Sequence, residues 1–494
     1  MSPKPNEGVA QARAILGVLA QKGVKPKRFA ARVEEVRPGD VFLAIAGNKH
    51  DPRLRLDEAV VNGAQAVLWE KGDAFCAPAL AVPSLGVEGL RPLLGFLAQA
   101  LSPLPPGFSV IAVTGTNGKT TLSWLLAQMG KRLGTPLGYV GTLGSGFPGE
   151  DIVPTGMTTP DALRLHDLLV SFAQRGACGA AVEASSHALD QGRLLGLAVQ
   201  GAVFTNLTRD HLDYHLSLFA YARAKARIFS LDGLEFAAVN VSDPFGERMA
   251  ARLKKKNFRL FTYGMDKGEI KADAPTLEKD TKGVPRMVFG VSTPWGKSKI
   301  RVHGIGAFNA LNALGALSAA LGLGFGLQDA CLALEEATLP PGRMTLLQEK
   351  EKPLVAIDYA HTPSALRQAL LALRQLQPQG KLICVFGAGG ERDRGKRPEM
   401  GKAAGELADV VIITSDNPRG EDPLEIMGDI ERGMEKGKPH LVPDRREALF
   451  LALALARPED KVLIAGKGHE GTQEIKGVQL HFSDIEVARG ALGQ

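Results

Sequence analysis

The chain has 494 residues, 45% of them hydrophobic and 23% charged, which is enough apolar material for several packed domains and argues against disorder. The formal charge of +6 is spread along the chain, with Lys254-Lys255-Lys256 as the only basic run, so nucleic acid is not expected as a partner and clefts for anionic small molecules are. Four widely spaced cysteines, Cys76, Cys178, Cys331 and Cys384, form no CxxC pair and are read as core residues rather than as a zinc site or disulfide framework.

In chain order, the opening Met1-Ser2-Pro3-Lys4 lacks the apolar core of a secretory signal, and a cytoplasmic location without membrane insertion is expected. The first hundred residues read as a small α/β domain with a strand at Asp40 to Ile45. Two proline-glycine stretches, Pro103 to Gly107 and Leu339 to Gly342, read as linkers, giving expected domains at 1–105, 106–338 and 339–494. In the middle segment, strand-like runs at Phe108 to Val113, Gly179 to Val182, Val203 to Thr205 and Ala237 to Asn240 alternate with helical patterns, which predicts a parallel sheet. The apolar run Ala313 to Leu327, interrupted by Ser318 and several glycines, predicts a buried helix. The last segment repeats the alternation at Leu354 to Asp358, Lys381 to Phe386, Val410 to Thr414 and Lys461 to Ala465, which predicts a doubly wound domain with ligands at the strand C-terminal ends.

One motif carries chemistry on physical grounds alone. The run Thr114-Gly115-Thr116-Asn117-Gly118-Lys119-Thr120-Thr121 lies between a strand and a helical stretch, the order a phosphate cradle needs. Glycines let backbone N–H groups face phosphate oxygens, the helix N-terminus adds its positive end, Lys119 reaches the terminal phosphates and the Thr120 hydroxyl suits Mg²⁺. The spacing is shorter than in the common phosphate loop, since Val113 stands where the first glycine would be.

That loop resembles the ATP loop of the Mur ligases and of the related folylpolyglutamate synthases. Glu183 to Leu189 and Phe204 to His215 resemble the middle domain of the UDP-N-acetylmuramoyl-tripeptide synthetases within that family. Asp358 to Pro363, Asp416-Asn417-Pro418-Arg419 and Gly466-Lys467-Gly468-His469-Glu470 resemble their last domain. The resemblance covers nearly the whole chain and implies an α/β protein of three domains, with a central P-loop-type ATPase domain and a C-terminal Rossmann-like domain. It implies ATP-dependent amide-bond formation through an acyl phosphate, adding a third amino acid to a UDP-N-acetylmuramoyl-dipeptide in peptidoglycan precursor synthesis by a monomer.

The resemblance also implies roles. Gly115 to Thr121, Asn309, Arg343 and Asp358 would bind ATP. Thr120, Glu183, His211 and Lys225 would ligate Mg²⁺, with Lys225 carbamylated by CO₂; read alone, Lys225 is a solvated-face lysine and His211 a structural histidine. Thr158, Thr159, Ser185, Gln191 and Arg193 would hold the muramoyl-dipeptide, while Thr158-Thr159-Pro160-Asp161 also reads as a helix cap. The uridine pocket of the family usually has a Ser-Arg pair where this chain has Ala31-Arg32. Arg392, Asp416, Asn417, Pro418, Arg419, Gly466 and Glu470 would bind the incoming amino acid. The form of the Asp416 to Arg419 motif points to meso-diaminopimelate, whose distal carboxylate suits a guanidinium fork. L-Lysine or L-ornithine as the added residue, folate glutamylation, and a non-catalytic nucleotide-binding scaffold are the alternatives.

Overall fold

The computed structural model describes residues 5–47, 51–72, 75–279, 284–376 and 379–493; the opening residues 1–4 of the signal argument lie outside them. The chain divides into two compact units, Met1–Val113 with Gly134–Ala202 and Ala224–Ala237, and Thr114–Leu133 with Val203–Arg223 and Ala238–Gln494.

In the first unit, strands Arg28–Ala30, Asp40–Ala44, Ala66–Lys71 and Ser84–Glu88 pair in that order, all parallel. Helices Pro5–Gln21 and Leu90–Leu101 cover one face, where Leu19, Val41, Leu43, Leu68, Leu93 and Leu97 share a core. Val33, Phe42, Ala44, Leu56 and Val67 fill the other face, as the alternation of side chains along a strand requires. Strand Ser109–Thr114 lies beside Gly179–Glu183, with Leu137–Gly141 beyond it, again parallel. Val110 to Val113 are fully buried, as expected for a strand covered on both faces.

In the second unit, helix Lys119–Arg132 begins directly after Gly118 and packs on helix Ala307–Gly322. The apolar run Ala313 to Leu327 is therefore not one helix. The first helix stops at Gly322, Gly324 takes a left-handed φ of 95°, and a new helix begins at Leu327. Glycine beyond a helix end is the residue that tolerates that turn. The cysteines divide as well: Cys331 and Cys384 are buried, whereas Cys76 and Cys178 are exposed, which corrects the reading of all four as core.

The C-terminal sheet orders its strands Thr345–Leu347, Leu354–Asp358, Lys461–Ala465, Leu382–Phe386, Val410–Ile413 and His440–Leu441, with only the first antiparallel. Period-two alternation sorts its side chains. Leu354, Ala356, Leu382, Cys384, Phe386 and Leu463 pack against helices Pro363–Leu376, Lys396–Leu407 and Pro423–Glu431. Val355, Ile357, Ile383, Val385, Val462 and Ile464 pack against Arg445–Leu455 and Asp484–Leu492. Helices on both faces leave the strand C-terminal ends as the open edge, and the Asp358, Asp416 and Gly466 motifs all begin there.

Candidate active site

In the second unit, the turn Thr114 to Gly118 is shaped by two glycines without room for a side chain. A Cβ on Gly115 would stand 1.8 Å from Thr205 Oγ1, and one on Gly118 would stand 2.2 Å from Asn312 Oδ1; their φ angles are 149° and 88°. The loop is held by its neighbour: Thr205 Oγ1 donates to Asn117 O at 2.6 Å, Asn117 N–H donates to Asn206 Oδ1 at 3.0 Å, and Thr208 N–H donates to Thr116 Oγ1 at 3.0 Å. Lys119 Nζ donates to the carbonyls of Gly115 and Thr116 at 2.9 and 3.0 Å, so the ammonium lies across the turn whose N–H groups define the cradle.

Arg343, 223 positions along the chain, donates from Nη2 to Thr120 Oγ1 at 3.0 Å, and its guanidinium stacks 4.3 Å from the centre of the Tyr359 ring. Asp358 accepts from Met344 N–H at 2.7 Å. Burial pushes the Asp358 carboxyl above its ordinary pKa, against the pull of nearby Arg343. Arg343, Asp358 and the loop are thus brought together. Asn309 is buried on helix Ala307–Gly322, where its amide donates to Ile305 O at 3.0 Å and its oxygen accepts from Asn312 at 3.5 Å.

The amino-acid motifs also converge in this unit. Arg419, at a left-handed φ of 53°, donates from Nη1 to Gly390 O at 2.7 Å and lies 3.5 Å from Glu474 Oε2. Arg392 is exposed, and a Cβ on Gly389 would lie 3.1 Å from Arg419 Nη1 and 3.7 Å from Arg392 Cγ, so the two side chains flank one glycine. Asn417 Nδ2 and Lys467 Nζ each donate to Glu470 Oε2 at 2.9 Å, and Lys467 also donates to Asn417 Oδ1 at 3.1 Å. Asp416 is buried, and a Cβ on Gly466 would stand 2.4 Å from its Oδ2.

In the first unit, Glu183 ends its strand fully buried. Its Oε1 accepts from Tyr139 OH at 2.6 Å and Thr142 N–H at 2.9 Å, and its Oε2 accepts from Thr142 Oγ1 at 3.1 Å. Thr158 Oγ1 is 3.1 Å from Thr142 Oγ1, and Thr159 Oγ1 donates to Glu183 O at 2.6 Å and touches Ser185 Oγ at 3.2 Å. Arg193 donates to Gln191 Oε1 at 3.0 and 2.8 Å and to Thr159 O at 2.5 Å. Asp161 caps helix Ala162–Gln174, so the cap reading also stands. Ala31 packs at the margin of the N-terminal core and Arg32 is exposed. Lys225 is only 1% exposed, which removes its reading as a solvated lysine.

Among the described residues no group of three or more His, Cys, Asp or Glu side chains could hold a metal ion. The oxygen donors that suit Mg²⁺ are the Glu183 carboxylate and the Thr120 hydroxyl, whereas a lysine contributes oxygens only once carbamylated.

Sequence reasoning assigned no role to Tyr139, Thr142, Asp210, His361 or Lys467. The last three stand inside motifs already singled out, so position within a motif was the available signal; Tyr139 and Thr142 had none. Asp210 is buried, with His211 Nε2 3.4 Å from its Oδ2, His361 Nε2 3.8 Å from the same oxygen, and Lys396 Nζ 3.8 Å from its Oδ1. Burial alone would raise its pKa; His361, Lys396 and His211 outweigh it and hold the carboxyl well below the usual carboxylate range.

A family model described as the Mur ligase middle domain matches residues 113–320, and one described as the Mur ligase glutamate ligase domain matches residues 342–468. The UDP-N-acetylmuramoyl-L-alanyl-D-glutamate–2,6-diaminopimelate ligase of Chromobacterium violaceum is 44% identical over 480 residues, covering 96% of each chain. The protein of the same name from Pseudomonas aeruginosa is 44% identical over 460 residues, covering 92% of this chain and 93% of its own. A solved structure of a ligase of that name matches with a TM-score of 0.66 at 36% identity over 95% of both chains. The MurF ligase of Thermotoga maritima in complex with ADP matches in fold, with a TM-score of 0.64 at 19% identity over 94% of this chain and 96% of that one.

Proposed function

The chain belongs to the Mur ligase family, and from that premise we propose that it is the ATP-dependent ligase that joins meso-diaminopimelate to UDP-N-acetylmuramoyl-L-alanyl-D-glutamate in peptidoglycan precursor synthesis. The observation that carries this reading is the 44% identity over 96% of both chains to a ligase of that specificity. The convergence of Arg343 on Thr120 supports it locally, because a residue beyond the second linker completes the surroundings of the phosphate loop.

The reaction sets two anions against each other. The substrate carboxylate attacks the γ-phosphorus of ATP, giving an acyl phosphate and ADP; the amine of the incoming amino acid then attacks the acyl carbon and phosphate leaves. Lys119 and the N–H groups at the start of helix Lys119–Arg132 offset the phosphate charge, and Arg343 with Asp358 orients the nucleotide. Asn309, whose amide donates to Ile305 O just before its helix, is proposed to meet the adenine edge. Thr158, Thr159, Ser185, Gln191 and Arg193 offer hydroxyls, an amide and a guanidinium for the muramoyl-dipeptide, and the Ala31 backbone serves the uridine. Arg392, Asp416, Asn417, Pro418, Arg419, Gly466 and Glu470 bind diaminopimelate, with Arg419 for the distal carboxylate.

Thr120, Glu183, His211 and carbamylated Lys225 are the proposed Mg²⁺ ligands. Bound Mg²⁺ supplies charge neutralisation at the phosphoryl oxygens. Tyr139 and Thr142 hold the Glu183 carboxylate in place through their hydrogen bonds.

No helix among the described residues is long and apolar enough to cross a membrane, and a cytoplasmic setting with ATP and UDP-linked substrates fits the reading. The nucleotide loop and the amino-acid residues lie in one unit of one chain, which supports a monomer as the working form. The proposed domain limits remain 1–105, 106–338 and 339–494. The test is an amino-acid panel with purified protein, ATP and the UDP-muramoyl-dipeptide, read by product mass. Diaminopimelate should be incorporated best; preference for L-lysine or L-ornithine overturns the amino-acid assignment, and ATP turnover stimulated by folate alone overturns the acceptor.

A further inference from the structure

The segments matched by the two family models meet at a charged junction that none of the proposed substrate ligands occupies. Arg209 donates from Nε to Asp393 Oδ2 at 2.9 Å and from Nη2 to Asp393 Oδ1 at 3.2 Å, a fork-to-fork pair, and from Nη1 to Glu399 Oε1 at 3.1 Å. The next residue has the opposite charge and faces the opposite partner: Asp210 Oδ1 lies 3.8 Å from Lys396 Nζ, and both side chains are buried. Arg209-Asp210 therefore reads Asp393 and Lys396 as a crossed pair of opposite charges, which specifies register in a way that a single pair does not.

Two further features show the junction to be built rather than incidental. A Cβ on Gly395 would stand 2.0 Å from Arg209 Nη2, so the guanidinium occupies space that any other residue there would take. Asp393 Oδ1 also accepts from Gly395 N–H at 2.9 Å, fixing the turn that presents its carboxylate. Surface ion pairs are ordinarily worth little, but Asp393 is buried and its pairing is bidentate.

What the junction docks follows from the chain. Asp393 directly follows Gly390-Glu391-Arg392, and Gly390 O is the acceptor that fastens Arg419. On the other side, Asp210 directly precedes His211. We propose that Arg209 and Asp210 are positioning residues that dock the 390–396 loop, so that the arginines binding the incoming amino acid are held in register with the phosphate-loop segment. This inference rests on the function proposed above. Neither residue touches a reacting atom; each acts through the loop it holds.

Steady-state kinetics on Arg209→Gln, Asp393→Asn and the double variant, with the melting temperature measured alongside, test it. The expected result is a rise of roughly tenfold in KM for diaminopimelate in each single variant, with KM for ATP and for the UDP-muramoyl-dipeptide within about twofold of wild type. The double variant should be no worse than the poorer single one, because the same pair is lost once. Arg209→Lys, which keeps the charge without the fork, should fall between. An unchanged KM for diaminopimelate, or all three KM values moving together with the melting temperature, overturns the inference in favour of a purely structural ion pair. A wild-type protein that makes no product from these substrates overturns the proposed function itself, and the inference falls with it.

Discussion

Arg419 is the side chain on which the proposed amino-acid specificity turns. Its left-handed φ and its bond to Gly390 O aim the guanidinium across the 389–392 loop rather than out to solvent. Arg419→Ala removes both the fork for a distal carboxylate and the tie to that loop. Use of diaminopimelate should fall by roughly 30-fold or more in kcat/KM, while residual turnover with L-lysine, which lacks the distal carboxylate, changes much less; an equal loss for both would remove Arg419 from specificity. Lys225 makes a complementary case. An ammonium buried to 1% exposure is costly unless it is paired or chemically altered, and conversion to a carbamate turns it into an oxygen ligand. Lys225→Ala should be nearly inactive and should recover part of its activity with added short-chain carboxylates. Recovery that is absent while the variant remains folded would speak against the carbamate.

At the scale of elements, the phosphate loop depends on helix Ala307–Gly322 as much as on its own glycines. Asn312 from that helix stands where a Gly118 side chain would go, and Gly118 has the left-handed backbone that only glycine adopts without strain. Gly118→Ala therefore adds a clash to a conformational cost of about 1–2 kcal/mol. It should lower the melting temperature and abolish saturable ATP binding measured by calorimetry. Gly118→Ala combined with Asn312→Ala relieves the clash but not the strain, so stability should recover only in part. Full recovery in the double variant would show that φ at Gly118 is unimportant. The spacing of the loop was legible in the sequence because strand, turn and helix are contiguous; the partner helix, nearly two hundred residues later, was not.

For the whole molecule, pH enters stability through a buried base. His166 Nε2 lies 2.7 Å from Ser102 O, and burial lowers its pKa more than that carbonyl and Asp167 raise it. The unfolded chain therefore binds a proton that the folded one resists, and stability falls as pH drops below the unfolded value of about 6.5. Asp167, raised by burial, contributes with the opposite sign at more acid pH. Melting temperatures between about pH 7 and 5 should decline less steeply in His166→Gln than in wild type; parallel curves would exclude His166 as the source. The sequence by itself determined the α/β class, the C-terminal strands and the family, because period-two burial, glycine turns and contiguous motifs are local in the chain. Leu354–Asp358 and Lys461–Ala465 stand as read, since each is a buried run between turn signals. Only the tertiary structure decided that the run from Ala313 breaks at Gly322, that Cys76 and Cys178 face solvent, and that Lys225 does not. It alone revealed Tyr139 and Thr142 on Glu183, Lys467 on Glu470, and Arg209 on Asp393. Those partners lie from 3 to 184 positions apart, and composition and periodicity carry no information about which side chains a folded chain brings within hydrogen-bonding distance.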